Sequence, residues 1–395
     1  MNPNDTLLGL PEIVRELFET YDDNKRDEIK SRRFTQARMI EWLRPMVDAK
    51  VVEAKPLGTS AEGRTVSLYS YGTGPVKVFL WSQMHGDEPT ATMALLDILN
   101  FFARRRDHAV VRKIREALTL LMIPMLNPDG AERFTRRTAQ LVDMNRDAMT
   151  LVTPEANILK NTRNTYQPQF GFNLHDQDPR YTVGSTRNVA AIALLAPAFS
   201  ESREDNDVRR RAKKVASVLA GVFQLLVPGH TAKYDDTFEP RAFGDRIQQW
   251  GTSTVLIESG GWPNDRDKMF IRKLNYAGLL TSLFAIATGK YERSDPATYE
   301  TLPFNTKNLF DLIVRGVEFG ANDSTRPICA DIAFNLEETS LADGSLDLMA
   351  RVVDLGDLSS YGSFEERDGR GIRLNGNQIQ LDRVIPLKQL DYLLK

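Results

Sequence analysis

The chain has 395 residues, 42% of them hydrophobic and 26% charged, with 51 basic against 53 acidic side chains and a net charge of −2. That balance excludes a long-range field able to gather nucleic acid or an anionic membrane. A single cysteine, Cys329, excludes an intrachain disulfide and a thiolate zinc cluster.

The length suits one large domain plus a smaller one. The opening MNPNDTLLGLPEIVREL has no basic stretch followed by an apolar core, and no apolar run approaches the roughly 20 residues that span a bilayer. The expectation is a cytoplasmic protein, or a periplasmic or secreted one if a leader is missing. Residues 11–50 are read as helical, with Ile13, Leu17, Met39, Trp42 and Leu43 at helix-like spacing. Residues 51–84 are read as strands, ending in the buried run Val76 to Trp81. The polar stretch Ser82 to Pro89 leads into a strongly apolar helix, Ala91 to Arg104. Ala117 to Pro124 is a second buried strand, and Asn127-Pro128-Asp129-Gly130 is read as a turn. Phe170 to Leu174 is a short strand, 190–195 another apolar run, Arg209 to Leu226 a helix, Thr252 to Ile257 a strand and Tyr276 to Thr288 a helix. The basic runs Arg104–Arg106 and Arg209–Arg211 are taken as solvated helix faces, and Cys329, in the apolar run Ile328 to Phe334, as a buried thiol.

Apolar strands alternating with helices predict an α/β fold with a mixed, mostly parallel sheet covered by helices on both faces. Asp295 to Pro303, with two prolines and no periodicity, reads as a linker. The expected division is a catalytic domain over 1–294 and a small β-rich C-terminal domain over 304–395, the latter from short alternating segments broken at Gly356, Gly362, Gly369 and Gly376.

Ligands of open α/β sheets bind beyond the carboxyl ends of the strands. Four segments deliver polar residues there: His85 after VKVFLW, Asn127 after LTLLMIP, His175 after FGFNL and Glu258 after STVLI. His85 and Glu88, three residues apart at the entry to a helix, can share one metal ion. A third ligand completes a two-histidine, one-glutamate site with an open position for water. Of the four histidines, His108 follows a basic run at a helix end and reads as exposed, and His230 lies in a turn, leaving His175 as the third ligand. A bound zinc lowers the pKa of water to about 7. Glu258, alone after an apolar strand, fits the carboxylate that accepts the proton. The bland alternatives are a surface pair for His85 and Glu88, a core histidine for His175, and a structural ion pair of Glu258 with Arg272 or Lys273.

Five ordered blocks then resemble the zinc carboxypeptidase family, to which carboxypeptidase A belongs. They are Gly63-Arg64 through His85-Gly86-Asp87-Glu88; Asn127 to Gly130; Arg136 with Asp143 to Asp147; Asn173-Leu174-His175; and Glu258. The resemblance covers roughly residues 33–290. It implies one zinc ion on His85, Glu88 and His175, with Glu258 as general base. It also implies that Arg136 polarises the scissile carbonyl and that Asn145 and Arg146 grip the substrate's terminal carboxylate. A planar guanidinium suits that task where an ammonium does not. Tyr234 stands where the family places a mobile-loop tyrosine, and the residue setting side-chain preference falls within Arg241 to Asp245. The implied activity is release of a C-terminal residue from a peptide or small amide carrying a free carboxylate, with no nucleic-acid or membrane partner. Two alternatives stand beside it: a zinc amidohydrolase (a cell-wall peptide amidase or an N-acyl amino acid deacylase) and a non-catalytic binding module.

Overall fold

The computed structural model describes residues 9–320, 326–340 and 346–394; residues 1–8, the start of the stretch read above for a leader, lie outside it. The chain divides into two compact units, one of residues 1–179 and 190–305, the other of residues 180–189 and 306–395. The excursion at 180–189 is a feature the sequence reading lacks.

The helices of the first unit are α1 Leu10–Glu19, α2 Tyr21–Asn24, α3 Gln36–Asp48, α4 Thr90–Arg104, α5 Ala109–Ala117, α6 Pro128–Arg133, α7 Pro154–Tyr166, α8 Asp207–Leu226, α9 Phe243–Gln249, α10 Met269–Ala287 and α11 Ala297–Glu300. Its strands are β1 Glu53–Thr59, β2 Thr65–Tyr71, β3 Val76–Ser82, β4 Leu118–Ile123 and β5 Phe170–Asp176, followed, after β6 Tyr181–Val183 of the second unit, by β7 Ile192–Leu195, β8 Thr231–Lys233 and β9 Ser253–Ser259. The strands form one sheet in the order β1-β2-β4-β3-β5-β9-β7-β8. The centre is parallel: β3 pairs in parallel with β4 and β5, and β5 with β9. The mixed, mostly parallel sheet is the one expected.

Period-two alternation sends the side chains of β3 to opposite faces. Val78 and Leu80 join a core with Leu120, Phe172, Val255 and residues of α4, α8 and α10. Phe79 and Trp81 join a second core with Leu121, Ile123, Leu159 of α7 and Phe243 of α9. Helix α4 is apolar nearly all round and buried along most of its length, as a helix between sheet and outer helices must be. Its one acid, Asp97, is 0% exposed and is met by Arg272 of α10 through two hydrogen bonds of 2.6 and 2.7 Å, and by the Tyr21 hydroxyl at 2.9 Å. Breaking such a buried pair costs about 3–5 kcal/mol.

Several expectations need correction. Asn127 to Gly130 is not a turn: Asn127 caps α6, its Oδ1 accepting the Gly130 amide at 2.9 Å. Arg209 is not on a solvated face. It is 2% exposed and pairs with Asp236 at 2.9 Å, because the helix turns that position inward. His108 is partly covered, capping α5 and meeting Glu16 at 2.8 Å. The stretch read as a linker contains α11, with Tyr299 buried and its hydroxyl accepting the Ala196 amide. Cys329 is exposed, since the apolar run begins at the open end of its strand, where Ile328 is 60% exposed too.

In the second unit, β6 pairs with β10 Asn305–Lys307. Beyond it, β11 Leu309–Gly320, β12 Ile328–Ser340, β13 Leu346–Gly356, β14 Gly362–Asp368, β15 Arg373–Asn375 and β16 Val384–Pro386 precede α12 Leu387–Leu393. Their sheet runs β14-β11-β12-β13-β16, with β15 also on β11. Val314, Ile332, Phe334, Val352 and Leu390 fill its core. The C-terminal region is β-rich, as expected.

Candidate metal centre

The parallel centre of the sheet ends where the chemistry gathers. After β3 the chain makes a tight turn before α4, with the Glu88 amide donating to the His85 carbonyl at 3.2 Å. Gly86 is required there: a Cβ would come within 2.0 Å of the Gly130 backbone. Asn127, beyond its capping role, braces this turn through Nδ2 donated to the Met84 carbonyl at 3.2 Å.

His85, Glu88 and His175 are each buried, at 2%, 7% and 2% exposure. One donor atom from each lies within 4.8 Å of the others, the only such group among the described residues. Glu88 stands between the imidazoles: Oε1 is 2.8 Å from His85 Nδ1, and Oε2 is 2.7 Å from His175 Nδ1. Oε2 also accepts the Asp176 amide at 3.2 Å. The donor set suits zinc, which takes imidazole nitrogen and carboxylate oxygen.

Charge follows this geometry. Burial raises the Glu88 carboxyl, but the two facing imidazoles outweigh it and hold the group well below the usual carboxylate range. Burial depresses His85, yet Glu88 and Asp143 carry it up to about 9. Burial keeps His175 below its ordinary value.

Asp143 is the residue sequence reasoning undervalued. Its Oδ1 lies 3.1 Å from His85 Nε2, and its Oδ2 accepts from Arg136 Nε and Nη2 at 3.2 and 3.0 Å. Burial raises Asp143, while His85 and Arg136 drive it far lower. The signal was available, since Asp143 opens the motif containing Asn145 and Arg146. Held by Asp143, Arg136 places Nη1 3.0 Å from His85 Nδ1 and donates to Glu88 Oε1 at 3.1 Å. Arg136 is therefore no plain surface residue, although its side chain keeps 43% exposure and remains open to solvent.

Glu258, next to last in β9, is the register partner of His175 and is 8% exposed. Burial, then the charge of Glu88, pushes its carboxyl up to about 8. The structural ion pair imagined for it is absent among the described residues: Arg272 pairs with Asp97, and Lys273 approaches Asp22.

Asn145 is buried; its amide bonds Asp143 Oδ1, and its own Oδ1 accepts the Phe243 amide at 2.9 Å. Its polar side chain thus ties this segment to α9. Arg146 is 41% exposed; its Nη1 donates to the Asn145 carbonyl at 2.7 Å, and its Nε lies 3.6 Å from Glu239, which Arg241 holds more closely at 2.7 Å. Tyr234 directly follows β8, half-buried, its amide on the Leu194 carbonyl. Within Arg241 to Asp245, Asp245 is the buried acid, at 8% exposure. Burial raises its carboxyl to about 7, and its Oδ1 accepts the Glu239 amide.

Comparison with known proteins finds similarity to carboxypeptidases. A family model described as zinc carboxypeptidase matches residues 39–189. "Carboxypeptidase 2" of Trichophyton tonsurans is 27% identical over 142 residues, 35% of this chain and 26% of that protein. "Probable carboxypeptidase 2" of Trichophyton verrucosum is 30% identical over 125 residues, 31% of this chain and 24% of that protein. The chain thus spans about a quarter of the length of the curated relatives it matches. Among solved structures, a metallo-carboxypeptidase from Burkholderia cenocepacia aligns with a TM-score of 0.52 at 18% identity, covering 65% of this chain and 70% of that one. A metallo-carboxypeptidase from Pseudomonas aeruginosa, in complex with (2-guanidinoethylmercapto)succinic acid, aligns with a TM-score of 0.51 at 16% identity over the same shares. At these identities the likeness is one of fold.

Proposed function

We propose that this chain, a member of the zinc carboxypeptidase family by its match over residues 39–189, is a metallocarboxypeptidase that hydrolyses the C-terminal amide bond of a peptide. The observation that carries the reading is the buried convergence of His85, Glu88 and His175, with Glu258 at the neighbouring strand end.

His85, Glu88 and His175 are the residues that would hold zinc. Bound there, zinc supplies Lewis acidity to a substrate carbonyl and makes water acidic enough to attack near neutral pH. The chain's own groups do the rest. Glu258 accepts a proton from the attacking water and returns it to the leaving amine. Burial and the charge of Glu88 raise that carboxyl in the metal-free chain, and a cation held by the three ligands would draw it back toward the proton-accepting form. Arg136, anchored by Asp143 and reaching His85 and Glu88 through Nη1, sets its positive charge beside the ligand cluster, where it would face the developing oxyanion. Arg146, half-exposed and steadied by the Asn145 carbonyl, offers its guanidinium to the terminal carboxylate, with Asn145 beside it.

The test is turnover of zinc-loaded protein on C-terminally varied peptides, with muropeptides and N-acyl amino acids in parallel. Release of single C-terminal residues from peptides is the expected result. Exclusive turnover of muropeptides or acyl amino acids would move the assignment to an amidohydrolase. No turnover of any of the three would overturn the reading.

A further inference from the structure

One buried ion pair reaches all three segments that carry the proposed ligands and base. Lys268 is 6% exposed, and its Nζ donates to Asp176 Oδ2 at 3.1 Å, to the Ser259 carbonyl at 2.9 Å and to the Gln177 carbonyl at 3.5 Å. Asp176 follows His175, and Ser259 follows Glu258. The Asp176 carboxylate also accepts the hydroxyl of Thr90, two residues past Glu88, while the Asp176 amide donates to Glu88 Oε2 at 3.2 Å. The turn before α4, the end of β5 and the end of β9 are therefore pinned to one ammonium–carboxylate contact.

The backbone at Lys268 supports a specific need for this side chain. Lys268 caps α10 in the left-handed region at φ +56°, where a long side chain is unusual. Caps of this kind favour Ser, Thr, Asn, Asp or Gly. The capping work falls to Asp265, whose Oδ2 accepts the amides of Phe270 and Ile271 at 2.9 and 3.2 Å. Nor does stability call for a lysine, because apolar side chains of similar volume hold a fold at least as well as a buried ion pair. What the ammonium supplies is fixed geometry.

We propose that Lys268 is a positioning residue: through Asp176 and the Ser259 carbonyl it sets the orientation of Glu88, His175 and Glu258. The inference rests on reading the site as a metal-dependent peptidase. The molecule provides its own control in Arg272 and Asp97, a buried pair one turn further along α10. Its other partners are Tyr21, the amide and carbonyl of Arg26 and the carbonyl of Ile29, on the N-terminal segment, and Met269 Sδ on α10, all outside the three segments that form the site.

The experiment measures cobalt(II) affinity by chelator competition, kcat and KM on a cleaved peptide, and Tm, for the parent, Lys268→Met, Lys268→Arg, Thr90→Val and Asp97→Asn. Lys268→Met should weaken cobalt binding by roughly 10–100-fold and lower kcat by about 100-fold, with KM changed less than about threefold. Lys268→Arg should recover most of both losses. Thr90→Val removes only the hydroxyl contact to Asp176 and should show a smaller loss of cobalt affinity; it decides the matter if Lys268→Met does not fold. Asp97→Asn should lower Tm and leave cobalt affinity and kcat at parental values. The proposal is overturned if Lys268→Met lowers Tm but keeps parental cobalt affinity and kcat, or if Thr90→Val binds cobalt as the parent does when Lys268→Met is unfolded. Should the parent bind cobalt yet cleave no peptide, the peptidase reading falls, and cobalt affinity alone decides the role of Lys268.

Discussion

His175 on β5 and Glu258 on β9 face each other residue for residue across two parallel strands, so the proposed third ligand and the proposed base leave the sheet at one level. Neighbouring strands stand roughly 4.8 Å apart, which brings a proton acceptor close to the ligand cluster without any loop having to place it. Glu258 tolerates burial there because its carboxyl, raised to about 8 by burial and by the charge of Glu88, holds its proton at neutral pH while no cation is bound.

Glu258→Gln keeps size and hydrogen-bonding capacity but cannot accept a proton. The variant should bind one zinc as the parent does and lose turnover by on the order of 10²–10⁴-fold. Atomic absorption and peptide assays on the same sample check both halves. Turnover near the parental value would remove Glu258 from its role.

Metal uptake should release protons. With Glu88 and Asp143 raising its ring to about 9, His85 carries a proton at pH 7 when the site holds no metal. A coordinating nitrogen must shed that proton, so affinity should rise with pH and level off near 9. Calorimetry in two buffers of different ionisation heat should give heats whose difference corresponds to at least one proton released at pH 7. Buffer-independent heats would contradict it.

Asp245 predicts a pH dependence of stability. Burial raises its carboxyl from 3.8 to about 7, so the folded chain holds a proton that the unfolded chain gives up sooner. Stability from this group is therefore complete below about 3.8 and is lost as pH rises through about 7. Asp245→Asn should flatten that decline and leave the variant roughly 2–4 kcal/mol more stable than the parent at pH 8, with little difference at pH 4. Urea unfolding at both pH values measures it; a variant less stable at pH 8 would refute the assignment.

Arg146→Ala should raise KM by roughly 30–100-fold with kcat little changed, the effect of losing a charge-assisted fork to a carboxylate. Arg146→Lys should recover only part of it, because a point charge cannot bind both oxygens in plane. A substrate with an amidated C-terminus should be equally poor for parent and Arg146→Ala. If the alanine variant discriminates against the amide as strongly as the parent, Arg146 is not the carboxylate anchor.

The sheet and its chemical edge were legible because VKVFLW, LTLLMI and STVLIE are short apolar runs that end abruptly in a polar side chain, a pattern governed by strand burial alone. His175 could be chosen by elimination among four histidines. What stayed hidden depends on contacts distant along the chain. Arg209 reads as one of three basic residues, and its inward turn is visible only from its partners, Asp236 and the carbonyls of Ala196, Arg203 and Glu204. Cys329 lies in an apolar run, yet its strand is uncovered at that end. Lys268 carries no motif, and Asp143 reads only as the start of the segment with Asn145 and Arg146; the importance of each appears once Asp176 and Ser259, or His85 and Arg136, are seen within hydrogen-bonding reach. The excursion at 180–189 gives no compositional signal that it belongs with residues after 305.

The most direct measurement is an anomalous difference map from crystals of the zinc-loaded chain, collected at the zinc absorption edge. The account predicts a single strong peak about 2 Å from one nitrogen each of His85 and His175 and from the Glu88 carboxylate. A peak elsewhere, or none at this cluster in crystals that contain stoichiometric zinc, would contradict it.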